Sequence, residues 1–112
     1  MTDLAERRCE PCRGNAVAYS QAQAAAALKQ VDHGWQLVED GKAIRRDFSF
    51  RDFYRTMSFV NALAHIANLE DHHPDLTVGY DRCQIRYSTH AISGLSENDF
   101  ICAAKVDRIP LA

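Results

Sequence analysis

No apolar run in this 112-residue chain approaches the roughly 20 residues needed to cross a bilayer as a helix. An excess of positive charge is missing too: 13 Lys and Arg stand against 15 Asp and Glu, for a formal charge of −2. That leaves no basic footprint for nucleic acid or for an anionic membrane surface. The opening Met1-Thr2-Asp3-Leu4-Ala5-Glu6-Arg7-Arg8 mixes acids with its bases and has no apolar core of signal-peptide length, so the expected location is the cytoplasm. Cys9-Glu10-Pro11-Cys12 is a CxxC, but it has neither a second CxxC nor the strand-then-helix context of a thioredoxin-like motif. The expectation is four free thiols, with a disulfide or metal at 9 and 12 as the minority reading. Cys83 in an alternating pattern and Cys102 in a helical one read as small hydrophobes.

What is present suffices for one core. With 46% hydrophobic residues the chain is expected to be a single domain over residues 20–112. Residues 1–19 mix charges, Cys, Pro11 and Gly14 without period and predict an irregular or loosely attached arm. Ser20 then caps a helix through the alanine-rich run 21–30. Asp40-Gly41 predicts a type I′ hairpin that sets Leu37 opposite Ile44, with Trp35, Phe48 and Phe50 on the same face. From 51 to 69 the period becomes helical, with a stripe of Phe53, Met57, Val60, Ala64 and Ala67 widened by Phe59, Leu63 and Ile66, and Ser49 with Asp52 at capping-box spacing. Alternation returns around an Asp81-Arg82 turn; Cys83, Ile85, Tyr87 and Thr89 share one face, Gln84, Arg86, Ser88 and His90 the other. Ser96-Glu97-Asn98-Asp99 is a capping box opening a last helix with Phe100, Ala103 and Ala104 inward. The order helix, hairpin, helix, hairpin, helix predicts an α+β two-layer domain, a four-stranded antiparallel sheet with three helices on one face, whose free face or edge invites self-association.

The chemistry concentrates at Glu70-Asp71-His72-His73-Pro74-Asp75. Pro74 ends the helix and pushes His73 out of the α region, so both imidazoles sit at an element boundary. Side chains with an ordinary pKa near 6.5 can both give and take protons near neutrality. His90 leaves a strand end, where loops converge over a rigid frame, and Asp99 lies beyond it. His65, alone within a helix, reads as a surface or satisfied packing residue. A metal site from His72, His73, His90 and a cysteine is disfavoured, because Cys83 faces away from His90 and the CxxC is remote in sequence.

These residues give the chain its resemblance to the pterin-4a-carbinolamine dehydratase family. It covers residues 20–108 and rests on His72-His73-Pro74, Tyr80, Ser88-Thr89-His90, Gly94-Leu95-Ser96 and Asp99, in order and at the family's spacing; the Cys9/Cys12 arm resembles that of some bacterial members. The resemblance implies the same sheet-and-helix fold and loss of water from a 4a-hydroxytetrahydropterin to give a quinonoid dihydropterin. It implies His72, His73 and His90 as catalytic residues, with His72 and His90 as the acid/base pair in an order left open. His73, Asp99, Asn68, Ser88 and Thr89 would bind the pterin, with no metal and no cofactor. It further implies a homodimer or homotetramer and a phenylalanine hydroxylase as pathway neighbour; the alternative is a non-catalytic dimerisation or regulatory cofactor that binds a protein partner. Asn68 departs from the acidic residue of several members; it can hydrogen-bond but cannot stabilise an imidazolium by charge.

Overall fold

The computed structural model describes residues 3–11 and 16–111. Three helices, α1 (Gln21–Leu28), α2 (Phe53–Glu70) and α3 (Glu97–Asp107), cover one face of a four-stranded antiparallel sheet. Its strands, β1 (Gln36–Val38), β2 (Ala43–Ser49), β3 (Asp75–Val78) and β4 (Arg82–Tyr87), lie in the order β1-β2-β4-β3. The α+β two-layer architecture is the one the sequence predicts.

The first hairpin has the predicted register, Leu37 opposite Ile44. Its loop is longer than the predicted two-residue type I′ turn: Glu39, Asp40 and Gly41 are all left-handed, at φ 54°, 58° and 80°, Gly41 N–H donates to Val38 O and Lys42 N–H to Glu39 O, and the strands end at Val38 and Ala43. At the sheet centre Ile44 pairs with Tyr87 and Phe48 with Cys83, all buried under the helices. Arg46 is on this same face, its guanidinium 4.3 Å from the Phe48 ring centroid and bonded to Asp107 at the end of α3. Asp107 also accepts from the Trp35 indole at 2.8 Å, so the last helix is tied to the first hairpin by groups whose charge is paired where it is desolvated.

Three further local expectations are corrected. The cap of α2 is Asp52, whose carboxylate accepts from Arg55 N–H at 2.9 Å; Ser49 is used up as the last residue of β2, opposite Arg82. The second hairpin turns at Tyr80–Asp81, because Gly79 N–H donates to Arg82 O and Arg82 already belongs to β4. The inward stripe of α2 is Thr56, Phe59, Leu63, Ala67 and Glu70, about one residue's rotation away from the predicted one. Phe53, 49% exposed, instead lies flat against Tyr80, with ring centroids 6.3 Å apart. Thr56 can face the core because its hydroxyl is 2.9 Å from both Asp52 O and Tyr80 O, so it is buried with its proton satisfied.

The arm is mostly irregular but it is not loose over residues 3–11. Its 3₁₀ turn, Leu4–Glu6, buries Leu4 and Ala5 against α3, and Lys105 donates to Ala5 O at 2.8 Å. Cys12 lies outside the described residues.

Since Leu63 is wholly buried and Tyr54 is 80% exposed, Leu63→Ala is expected to lose about 2–5 kcal/mol in urea unfolding and Tyr54→Ala less than about 0.5 kcal/mol. Equal midpoint shifts for the two would contradict this burial pattern.

Candidate active site

Helix α2 ends where Asp71 turns left-handed, at φ 51°, and its N–H and that of His72 both donate to Ala67 O. The chain leaves the helix through His72 and His73 into Pro74, which keeps His73 out of the α region. Opposite, β4 runs out at Tyr87, and Thr89 and Gly94 form an isolated antiparallel bridge that pinches off the 3₁₀ turn His90–Ile92. A Cβ at Gly94 would stand 2.8 Å from Ala18 Cβ, so only glycine allows the segment before α1 to run this close. His72, His73 and His90 line one cavity of about 530 Å³ between these two corners.

His72 is the most firmly held of the three. Its Nε2 is 2.7 Å from Asp99 Oδ1, and its ring lies nearly parallel to that of Tyr87, 7° off at 5.9 Å. Asp99 is wholly buried and accepts on its other oxygen from the Thr89 hydroxyl at 2.7 Å and from Ser96 N–H at 2.9 Å. With the Thr89 proton committed to Asp99, the Ser96 hydroxyl donates to Thr89, 2.8 Å away. The capping box of α3 therefore doubles as the support of a histidine. A carboxylate can only accept, so Nε2 of His72 carries the proton and Nδ1 is the nitrogen left for exchange. Burial pushes the Tyr87 phenol well above its usual range and keeps it a neutral wall of the site.

The other predicted residues divide. His73 is exposed, with Nε2 3.3 Å from Asn68 Oδ1, so Asn68 reaches the site through His73. His90 is exposed at the cavity edge, in the 3₁₀ turn and not at a strand end. Ser88 lines the cavity with its hydroxyl donating to Lys42 O at 2.7 Å, and Thr89 spends its hydroxyl on Asp99. Asp99 stands behind His72, wholly buried and bonded to it, and does not itself line the cavity.

Sequence reasoning missed the near wall. Cys9, Glu10 and Pro11 line the cavity, so the CxxC, remote in sequence, begins at the site. Buried Glu70 brings it there, accepting from Cys9 N–H at 2.7 Å and pairing with Arg8 at 3.0 Å. An acid falling on the buried stripe of α2, with Arg7-Arg8 as candidate partners, was the signal for this contact. Among the described residues no three His, Cys, Asp or Glu side chains are grouped as metal ligands.

Removing the Glu70 carboxylate leaves Cys9 N–H without its acceptor and takes the charge partner from Arg8, a loss of about 1.5–3 kcal/mol in holding the arm. Glu70→Ala is expected to speed trypsin cleavage after Arg7 or Arg8 by roughly tenfold or more, with helical circular dichroism unchanged and Glu70→Gln in between. Equal cleavage rates would refute the anchoring role.

Residues 17–109 match the profile of the family described as pterin 4 alpha carbinolamine dehydratase. Proteins provisionally named pterin-4-alpha-carbinolamine dehydratase are 55% identical over 107 residues in Nitrosospira multiformis, covering 96% of this chain and 92% of that one. In Legionella pneumophila the identity is 50% over 108 residues, with 96% of each chain covered. Among solved structures, a transcriptional coactivator/pterin dehydratase from Brucella melitensis superposes with a TM-score of 0.74 at 34% identity, over 80% of this chain and 94% of that one. A pterin dehydratase-like protein identified as a RuBisCO assembly factor in the alpha-carboxysome gives 0.59 at 25% identity, over 67% of this chain and 87% of that one. The histidine corners, the capping box behind them and a match over most of the chain agree: this protein belongs to the pterin 4 alpha carbinolamine dehydratase family.

Proposed function

We propose that the chain dehydrates a 4a-hydroxytetrahydropterin to the quinonoid dihydropterin, with His72 and His90 moving protons and His73 orienting the ring system. The observation that carries this reading is His72 pinned by a fully buried Asp99 on a cavity shared with His73 and His90. A proton is delivered to the C4a hydroxyl as its C–O bond breaks, and the C4a=N5 bond forms as the N5 proton passes to the other imidazole. The products are water and the quinonoid pterin, and no electron is transferred to the protein. A ring held by Asp99 loses little freedom when it exchanges its proton at Nδ1, whereas His90, with no side-chain partner among the described residues, is free to follow the leaving hydroxyl. A cavity of about 530 Å³ is of the size that encloses a small heterocycle.

The reaction recycles the pterin of an aromatic amino acid hydroxylase, most naturally a phenylalanine hydroxylase, in the cytoplasm. We place self-association at β3, an edge strand exposed along its whole length with Leu76 and Val78 at the surface. A second reading, a binding protein, draws on the coactivator and assembly-factor names of the two solved relatives. Exposed Tyr80 stacked on half-exposed Phe53, at the start of α2 and so at the opposite end of that helix from His72 and His73, supports it as an aromatic surface.

Stopped-flow absorbance on a 4a-hydroxypterin generated in situ separates the two. His72→Ala and His90→Ala are expected to lower the enzymatic rate by about 10²–10⁴-fold, down to the spontaneous rate, while His65→Ala, exposed on α2, leaves it unchanged. Unaltered rates in both histidine variants would end the catalytic reading and leave the binding one.

A further inference from the structure

Cys9 and Cys102 are 93 positions apart in the chain, and their Sγ atoms are 3.5 Å apart in the fold. The proton transfers proposed above use neither thiol. Cys102 is wholly buried on α3, whereas Cys9 is half-buried and faces the cavity. Cys9 Sγ is also 3.6 Å from Asn98 O, which takes its proton and leaves Cys102 to donate to Cys9. Two sulfurs from remote segments are thus already in contact beside the histidines.

We propose that Cys9 and Cys102 form a reversible dithiol–disulfide site, closed by small-molecule disulfides such as oxidised glutathione, which clamps the N-terminal arm onto α3 at the cavity wall. Sulfurs in a disulfide are about 2.05 Å apart, so the pair must close by roughly 1.5 Å. The movement can come from the arm: side-chain contacts to Glu70, Glu97 and Asn98 hold it, and no sheet ladder resists a shift of Cys9. The hydrogen bond to Cys9 and burial push the Cys102 thiol up, which makes Cys9 the sulfur that reacts first and Cys102 the one that resolves. Cys9 thiolate attacks one sulfur of the small disulfide, breaking its S–S bond and expelling one thiolate. Cys102 then attacks Cys9 Sγ, its proton goes to the second departing sulfur, and the new S–S bond forms. Two protein thiols are oxidised and one small disulfide is reduced to two thiols.

The rival product is a Cys9–Cys12 bond within the CxxC, and peptide mapping distinguishes them. Trypsin leaves Cys9 and Cys12 together on residues 9–13 and Cys102 on residues 87–105. After oxidised glutathione, the folded protein is expected to lose two hydrogens in intact mass and to give the 9–13/87–105 cross-linked peptide. That peptide should persist in Cys12→Ser, vanish in Cys9→Ser and Cys102→Ser, and revert with dithiothreitol. Closing so long a loop also raises the thermal midpoint of the oxidised form relative to the reduced one. Two hydrogens lost from residues 9–13 alone, a cross-link that survives Cys9→Ser, or only a stable glutathione adduct on Cys9 would each overturn the proposal.

Discussion

A carboxylate with no solvent contact holds the site together. Isolated, the Asp99 side chain would cost several kcal/mol to bury; here a backbone N–H, a threonine hydroxyl and a histidine Nε2 converge on its two oxygens. The donors come from the start of α3, the end of β4 and the end of α2, so each element's position is set partly by the need to keep this group paired. Losing any one donor leaves the others to solvate a buried charge, which ties the geometry of His72 to the integrity of the fold.

Glu70 plays the corresponding role on the opposite wall. It is the last residue of α2, one full turn below the neighbouring buried Ala67, and its charge is met by Arg8, by Cys9 N–H and, at 3.9 Å, by Lys105. Two acids buried at helix ends, Asp99 and Glu70, therefore shape one cavity from both sides. The first orients an imidazole, and the second fixes the part of the arm at Arg8 and Cys9 against the cavity. The sulfur pair lies between them.

What could be read in advance followed from short-range rules. A left-handed reversal at Asp40-Gly41, the register Leu37–Ile44, the Ser96–Asp99 capping box and the exit of α2 before Pro74 depend on residues within a few positions of one another, and each was found, although Glu39 joins the reversal and lengthens the loop. The phase of α2 was not legible because Thr56 is satisfied by Tyr80 O, a partner 24 residues away, while Phe53 finds a ring to lie against outside the core. Asn68 kept the histidine contact allowed for an amide. Ser88 and Thr89 line the cavity, yet their hydroxyls serve neighbouring protein groups.

By itself the sequence determined the element order, the sheet register of the first hairpin and the pairing of two histidines at a helix end, since periodicity, turn chemistry and proline sterics act locally along the chain. Only the tertiary structure decided that Asp99 stands behind His72, that Glu70 points inward and that Cys9 meets Cys102. Those contacts join groups 27, 61 and 93 positions apart. They exist because burying a charge or a thiol forces it to find whatever partner the packed fold puts within reach, and no local pattern in the chain encodes which partner that is.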